Sequence, residues 1–231
     1  MKTISIRELH EKTGDWVRRS VTLGPITVTD HGKVIAQIVP VEASATTNPF
    51  AARKLRKGYA RLRGSSKAAQ TAPGLFPKTA TPRRPSVSYF DSAYVAKFYV
   101  DEPESDVVRQ LAASLGRVHC SALGRIEVTS VFHRKWREGA FTEREFREVS
   151  AQFADDCAAG LWTWLSVTDS LIEITAEAAR SVGKPITIRS ADALHLVSTK
   201  THGLPRVYTN DRHMLLAASA VGVEAMTVKA P

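Results

Sequence analysis

Four carboxylates, Asp91, Glu127, Asp192 and Asp211, combine residue type and position in a way that suits chemistry. Asp91 follows the apolar run SVSYF directly, and Asp211 follows RVYTN, so both stand at the carboxyl ends of expected strands. Glu127 falls about a turn and a half into the helix expected after RVHC, and Asp192 lies at the start of the helix expected over SADALHL. Like charges gathered by folding repel one another and lose hydration unless a cation joins them. Oxygen donors from four separated segments are what a Mg2+ ion, or Mn2+, requires. Any one of these acids alone reads as a helix cap or a surface charge, Asp192 most readily as an N-cap. That account is poor for all four at once.

The elements that must position these acids follow from periodicity. From Ser86 onward, short apolar runs (SVSYF, RVHC, TWLSV, RVYT, EAMTV) alternate with stretches of helical pattern such as AYVAKFYV, ALGRIEVTSVFHRKW and DSLIEITAEAARSV. Strands alternating with helices predict a mostly parallel sheet covered on both faces, a three-layer α/β/α domain whose ligands bind at the strands' carboxyl ends. Other acids read as decoys. Asp101, Glu102 and Glu104 cluster after a helix and Asp155-Asp156 fall on a polar helix face, so solvated surface is expected for them. His195 sits one turn after Asp192 on the apolar stretch ALHLV, and packing is favoured over catalysis. Trp162 and Trp164 flank a strand; they suit base stacking, but core packing is the stronger expectation.

Taken in order, YFDSA, SALGRIEVTS, RSADALHL and YTNDRHM resemble the motifs of a PIN-domain toxin of the VapC type, over residues 86–231. The resemblance implies that Asp91 and Asp192 are metal ligands and that Glu127 and Asp211 complete the acidic pocket. It further implies support from Ser92, Ser121 and Asn210 through hydrogen bonds, and hydrolysis of RNA as the activity. A divalent ion held there would lower the pKa of a bound water and neutralise charge on the phosphate.

The remaining third of the chain differs in charge. Of 231 residues with a formal net charge of +9, residues 1–85 hold a net of +11 and residues 86–231 a net of −2. This asymmetry suggests an anionic partner, nucleic acid being commonest, or binding of one part by the other. With two cysteines, neither in a metal-binding spacing, a disulfide framework and a zinc motif are excluded. The opening MKTISIRELHEK lacks a signal-peptide apolar core and no run of membrane-spanning length occurs, so a cytoplasmic protein with no membrane partner is expected.

Ser5 and Glu8 have capping-box spacing, which predicts a helix from about Ile6. ITVTD and KVIAQIVP, joined by His31-Gly32, predict a hairpin. A unit this small needs a partner copy to bury a core. Residues 1–48 resemble a small α+β dimerisation module of the Phd/YefM antitoxin type, which implies operator DNA binding; Lys2, Arg7, Arg18 and Lys33 are the candidate phosphate contacts. Asn48-Pro49 predicts a helix opening, with Leu55, Tyr59 and Leu62 on one face. Residues 49–63 then read as a basic toxin-binding helix that buries Phe50, Leu55, Tyr59 and Leu62 and sends an arginine into the acidic pocket, Arg53 and Arg56 being the best candidates though unranked against Arg61 and Arg63. Residues 64–85 have linker composition.

The expectation is therefore a fused toxin-antitoxin protein: a Mg2+-dependent endoribonuclease acting on RNA, self-associating, and inhibited by its own N-terminal part. Two alternatives differ in class or mode. One is a DNA-binding repressor whose PIN fold is only an oligomerisation or corepressor surface. The other is an active nuclease to which the basic segment recruits RNA.

Overall fold

The computed structural model describes residues 2–38, 48–64 and 87–228. The expected linker, Gly64 excepted, lies outside the described residues, as does the end of the N-terminal module. Two units divide the chain, Met1–Thr47 and Asn48–Pro231, so residues 48–64 belong with the larger one.

In the smaller unit, strand β1 (Lys2–Ser5) runs into helix α1 (Ile6–Glu11) through a complete capping box. The Ser5 hydroxyl accepts from the Glu8 amide, and Glu8 accepts from the Ser5 amide. The expected single helix is broken at Lys12, and α2 (Thr13–Leu23) turns Trp16 inward to donate its indole N–H to the Glu8 carbonyl. β2 (Ile26–Asp30) and β3 (Lys33–Ile38) form the expected hairpin, with both turn residues at positive φ. β1 pairs with β2 in parallel, and Ile4, Trp16, Ile26 and Val28 make a four-residue core. β3 is left open, with Val34 70% exposed.

In the larger unit, helix α3 (Lys57–Gly64) begins only at Lys57. Asn48 caps a turn instead of a helix, its side-chain oxygen accepting from the Phe50 amide. Next come β4 (Val87–Phe90), α4 (Ser92–Tyr99), α5 (Ser105–Leu115), β5 (Arg117–Ser121), α6 (Leu123–Arg137) and α7 (Glu143–Ala158). They are followed by β6 (Thr163–Leu165), α8 (Asp169–Ser181), α9 (Ser190–Thr201), β7 (Arg206–Tyr208), α10 (Arg212–Val221) and β8 (Glu224–Met226). The strands make one parallel sheet in the order β6-β5-β4-β7-β8.

Because successive strand residues face opposite sides, Phe90 enters the core beneath α4 to α7, while Tyr89 enters the core beneath α8 to α10. The three layers expected from the alternation are thus present. β4, first strand of this sheet in the chain, lies at its centre, and the later strands are added on either side. That reversal opens a crevice at its carboxyl end, where Asp91 stands.

Residues 48–64 pack into the α4–α7 layer. The Phe50 ring stands edge-on to Phe98 and Trp162, and the fully buried Tyr59 donates its hydroxyl to the Tyr99 carbonyl. Leu62 is half-buried, but Leu55 is exposed, because α3 starts too late to put it on the Tyr59 face. Arg53 Nε donates to Asp156 at 2.9 Å, among the rings of Tyr59, Phe98 and Tyr99. The expectation of a solvated Asp156 is therefore corrected. Asp155 is exposed and pairs with Arg56. Asp101, Glu102 and Glu104 also find cations, in Arg109, Lys135 and Lys97. Trp162 is core, its N–H donating to the Tyr99 hydroxyl.

Candidate active site

Asp91, Asp192 and Asp211 are delivered by strand ends or helix starts, and Glu127 by the second turn of α6. Asp91 caps α4, accepting from the Tyr94 amide at 2.8 Å, and its own amide donates to the Tyr208 carbonyl at the end of β7. Asp211 caps α10, accepting from the amides of His213 and Met214. Glu127 lies in α6 and Asp192 in the first turn of α9.

Their charges act on one another in pairs. Burial pushes Asp91 up to about 6, with Glu127 adding to the rise and the Thr209 hydroxyl, the Tyr94 amide and His195 opposing it. Asp192 is raised by burial, then by the negative charges of Asp211 and Glu127. Burial would raise Glu127 too, but hydrogen bonds from His195 and Ser92 outweigh it and hold the group below its ordinary value. Asp211 is likewise held low, its burial outweighed by the two cap amides and by Arg189.

Of the three expected supporting residues, Ser92 bonds to Glu127. Ser121, fully buried at the end of β5, accepts from the Leu123 amide and so shapes the entry to α6. Asn210 spends its side-chain oxygen elsewhere, accepting from Tyr94 and from Thr227 and tying α4 to the chain beyond β8. Sequence reasoning missed Thr209, fully buried and within bonding reach of Asp91, whose hydroxyl also accepts from the Asp211 amide at 3.0 Å. It missed Tyr89 and undervalued His195, which is buried as expected yet bonded to Glu127 at 2.8 Å. A hydroxyl next to a strand-end acid was the available signal for Thr209.

The sequence pattern of the PIN domain matches residues 88–219, more than half of the chain. The chain belongs to the PIN-domain family. Solved structures to which it is similar include FitAcB from Neisseria gonorrhoeae, at 18% identity over 60% of this chain and 95% of that one (TM-score 0.47). The sarcin-ricin loop cleaving toxin VapC20 from Mycobacterium tuberculosis is similar at 17% identity over 59% and 95% (TM-score 0.46). FitAB bound to an IR36 DNA fragment is similar at 20% identity over 61% and 94% (TM-score 0.42). No curated protein sequence matches the chain.

Among the described residues of this PIN domain, no three His, Cys, Asp or Glu side chains form a ready-made metal cage. The donor chemistry nevertheless fits a hard divalent cation. Asp192 Oδ2 is buried with no hydrogen-bond partner, an orphaned anionic oxygen beside other carboxylates. Mg2+ commonly takes only one or two carboxylates and keeps several waters, so a two-acid site suits it.

Neither arginine expected in this pocket enters it, since Arg53 is held by Asp156 and Arg56 by Asp155, both on α7. Charge pairing is the physical reason: α7 offers carboxylates beside the segment's own anchoring rings. The guanidinium that does reach the acids is Arg189, with Nη1 3.2 Å from Asp211 Oδ2 and a side chain 57% exposed. In the smaller unit Lys2 lies over the Trp16 ring and Arg7 pairs with Glu11, while Arg18 and Lys33 are exposed.

Proposed function

We propose that this PIN domain is a Mg2+- or Mn2+-dependent endoribonuclease, with Asp91 and Asp192 holding the ion and Glu127 and Asp211 completing the pocket. The observation that carries the reading is the partnerless, buried Asp192 Oδ2, whose carboxyl feels the charges of Asp211 and Glu127, with Glu127 acting in turn on Asp91. A bound ion would polarise a water and offset charge on the phosphate. The chain's own contributions are distinct. Asp91 is fixed by the Tyr94 amide, Glu127 is held ionised by His195 and Ser92, and the exposed Arg189 keeps its other N–H groups free of partners among the described residues.

The smaller unit is proposed to bind operator DNA as a self-associated module. Its open β3 with exposed Val34 and Ile35 invites a second copy, and Lys2, Arg7, Arg18 and Lys33 supply positive charge. Exposed Ile126 and Ile172, beside a groove of about 810 Å³ between α6, α8 and α9, give the PIN domain an apolar face for self-association as well. The inhibitory role of residues 49–63 is proposed in reduced form. They pair with α7 and not with the acids, so the restraint we propose is that the module tethered through them hinders large RNA while the chemistry proceeds.

Cleavage of a short single-stranded oligoribonucleotide and of a structured RNA by the intact chain with Mg2+ tests this reading. Cleavage of the short substrate, lost in Asp91→Asn and in chelator, is expected, with the structured RNA cut more slowly. No cleavage of either RNA would favour the repressor alternative, and equal rates would remove the restraint.

A further inference from the structure

His195 stands between the tyrosine that fills the sheet's second core and an acid of the pocket. Its Nδ1 lies 2.6 Å from the Tyr89 hydroxyl and its Nε2 lies 2.8 Å from Glu127 Oε2. The Tyr89 oxygen also accepts the Ser121 amide at 2.8 Å. Every member except Glu127 is buried, and Glu127 is partly so.

These contacts leave little freedom for the protons. The Tyr89 hydroxyl has one hydrogen; the Cys120 thiol also lies within its reach, but sulfur is the weaker acceptor, so the imidazole nitrogen His195 Nδ1 at 2.6 Å takes it. The Ser121 amide occupies the oxygen's accepting side. His195 Nδ1 must therefore accept, which puts the imidazole proton on Nε2, where it donates to Glu127. With the proton on Nδ1 instead, two donors would face each other across 2.6 Å and the carboxylate would lose its partner.

We propose that Tyr89 and His195 form a positioning relay, anchored on the Ser121 amide at the end of β5, that fixes the imidazole tautomer and thereby aims the Glu127 carboxylate into the acidic pocket. His195 is a positioning residue that acts through Glu127, not on substrate. Its role in cleavage rests on the nuclease reading above; the tautomer does not.

The test has two arms, both on the intact chain. Two-bond proton–nitrogen NMR correlations of histidine imidazoles, with His195 assigned from its variant, report the tautomer directly. His195 is expected to be Nε2-protonated in the wild type and to become a mixture in Tyr89→Phe. An Nδ1-protonated His195, or one unchanged in Tyr89→Phe, overturns the relay. In the second arm, cleavage rates and Mg2+ half-saturation are compared for His195→Leu and His195→Gln, the latter keeping an amide donor for Glu127. Leucine is expected to lower kcat or Mg2+ affinity by about 10–100-fold with the RNA KM little changed, and glutamine to restore part of the loss. Equal activity in both variants and the wild type, or equal loss in both together with a lowered Tm, overturns the positioning role. A wild-type chain that cleaves nothing removes the nuclease reading, while the NMR arm still decides the relay.

Discussion

Arg53 Nη2 lies 2.6 Å from Asp156 Oδ2, and the two side chains are only 7% and 4% exposed. This is a buried ion pair between residues 48–64 and α7, with the guanidinium 4.6 Å from the Phe98 ring centroid and Gln152 donating to the other carboxylate oxygen. Removing one partner leaves the other buried without its counter-charge. Arg53→Ala or Asp156→Ala is therefore expected to cost about 3–5 kcal/mol, measured by denaturant unfolding. The double change Arg53→Met with Asp156→Leu should cost much less, since neither charge is then stranded. A single substitution with an effect under about 1 kcal/mol would show the pair to be solvated.

A second prediction concerns pH. Asp91 titrates near 6 in the folded protein against an ordinary 3.8. Between those values the folded state binds more protons than the unfolded one, so stability falls as pH rises through that window, and the ionised form costs on the order of 3 kcal/mol above it. Asp91→Asn should then raise Tm at pH 7 and change it little near pH 4, while abolishing cleavage. Mg2+ should raise the wild-type Tm at pH 7 and leave that of the variant unchanged. A variant less stable than the wild type at pH 7 would contradict the burial argument.

Arg189 offers a third. Its pair with Asp211 is more than half exposed on the arginine side, so Arg189→Gln should change stability by less than about 1 kcal/mol. The same change removes a positive charge that competes with a divalent ion for Asp211 and Asp192, so Mg2+ half-saturation, followed by calorimetry, should fall roughly threefold to tenfold. Weaker Mg2+ binding would instead mean that the guanidinium holds the acids in place.

The elements that carry the acids were legible because they hold local signals: an apolar run before Asp91, another before Asp211, a regular helix around Glu127. The hairpin at His31-Gly32 and the Ser5 capping box were legible for the same reason, as chemistry contained in a few adjacent residues. What the sequence did not disclose depends on partners distant in the chain. Asp156 looks like surface until Arg53 is placed on it from 103 residues away. His195 looks like packing until Tyr89 and Glu127 reach it from different elements. The late start of α3 was hidden too, because Asn48-Pro49 is a good opening for either a helix or a turn and the choice falls to Phe50 finding Phe98 and Trp162.

The anchoring of residues 48–64 yields a last prediction about where the chain can be cut. A fragment of residues 87–231 contains every acid of the pocket, yet it lacks Phe50, Tyr59 and Arg53. Its α4–α7 layer would expose the faces of Phe98, Tyr99 and Trp162 to water and leave Asp156 without the guanidinium that pairs with it. The fragment 48–231 keeps all of these contacts. The shorter fragment should accordingly melt well below the longer one and bind a hydrophobic dye, and a synthetic peptide of residues 48–64 added in trans should restore its Tm. Should both fragments melt together, the segment is a passenger on the nuclease surface, and low cleavage by residues 87–231 could then be assigned to the active site itself. If the peptide restores both Tm and cleavage, the segment completes the nuclease fold, and the antitoxin-like part of this chain supports the enzyme it was expected to silence.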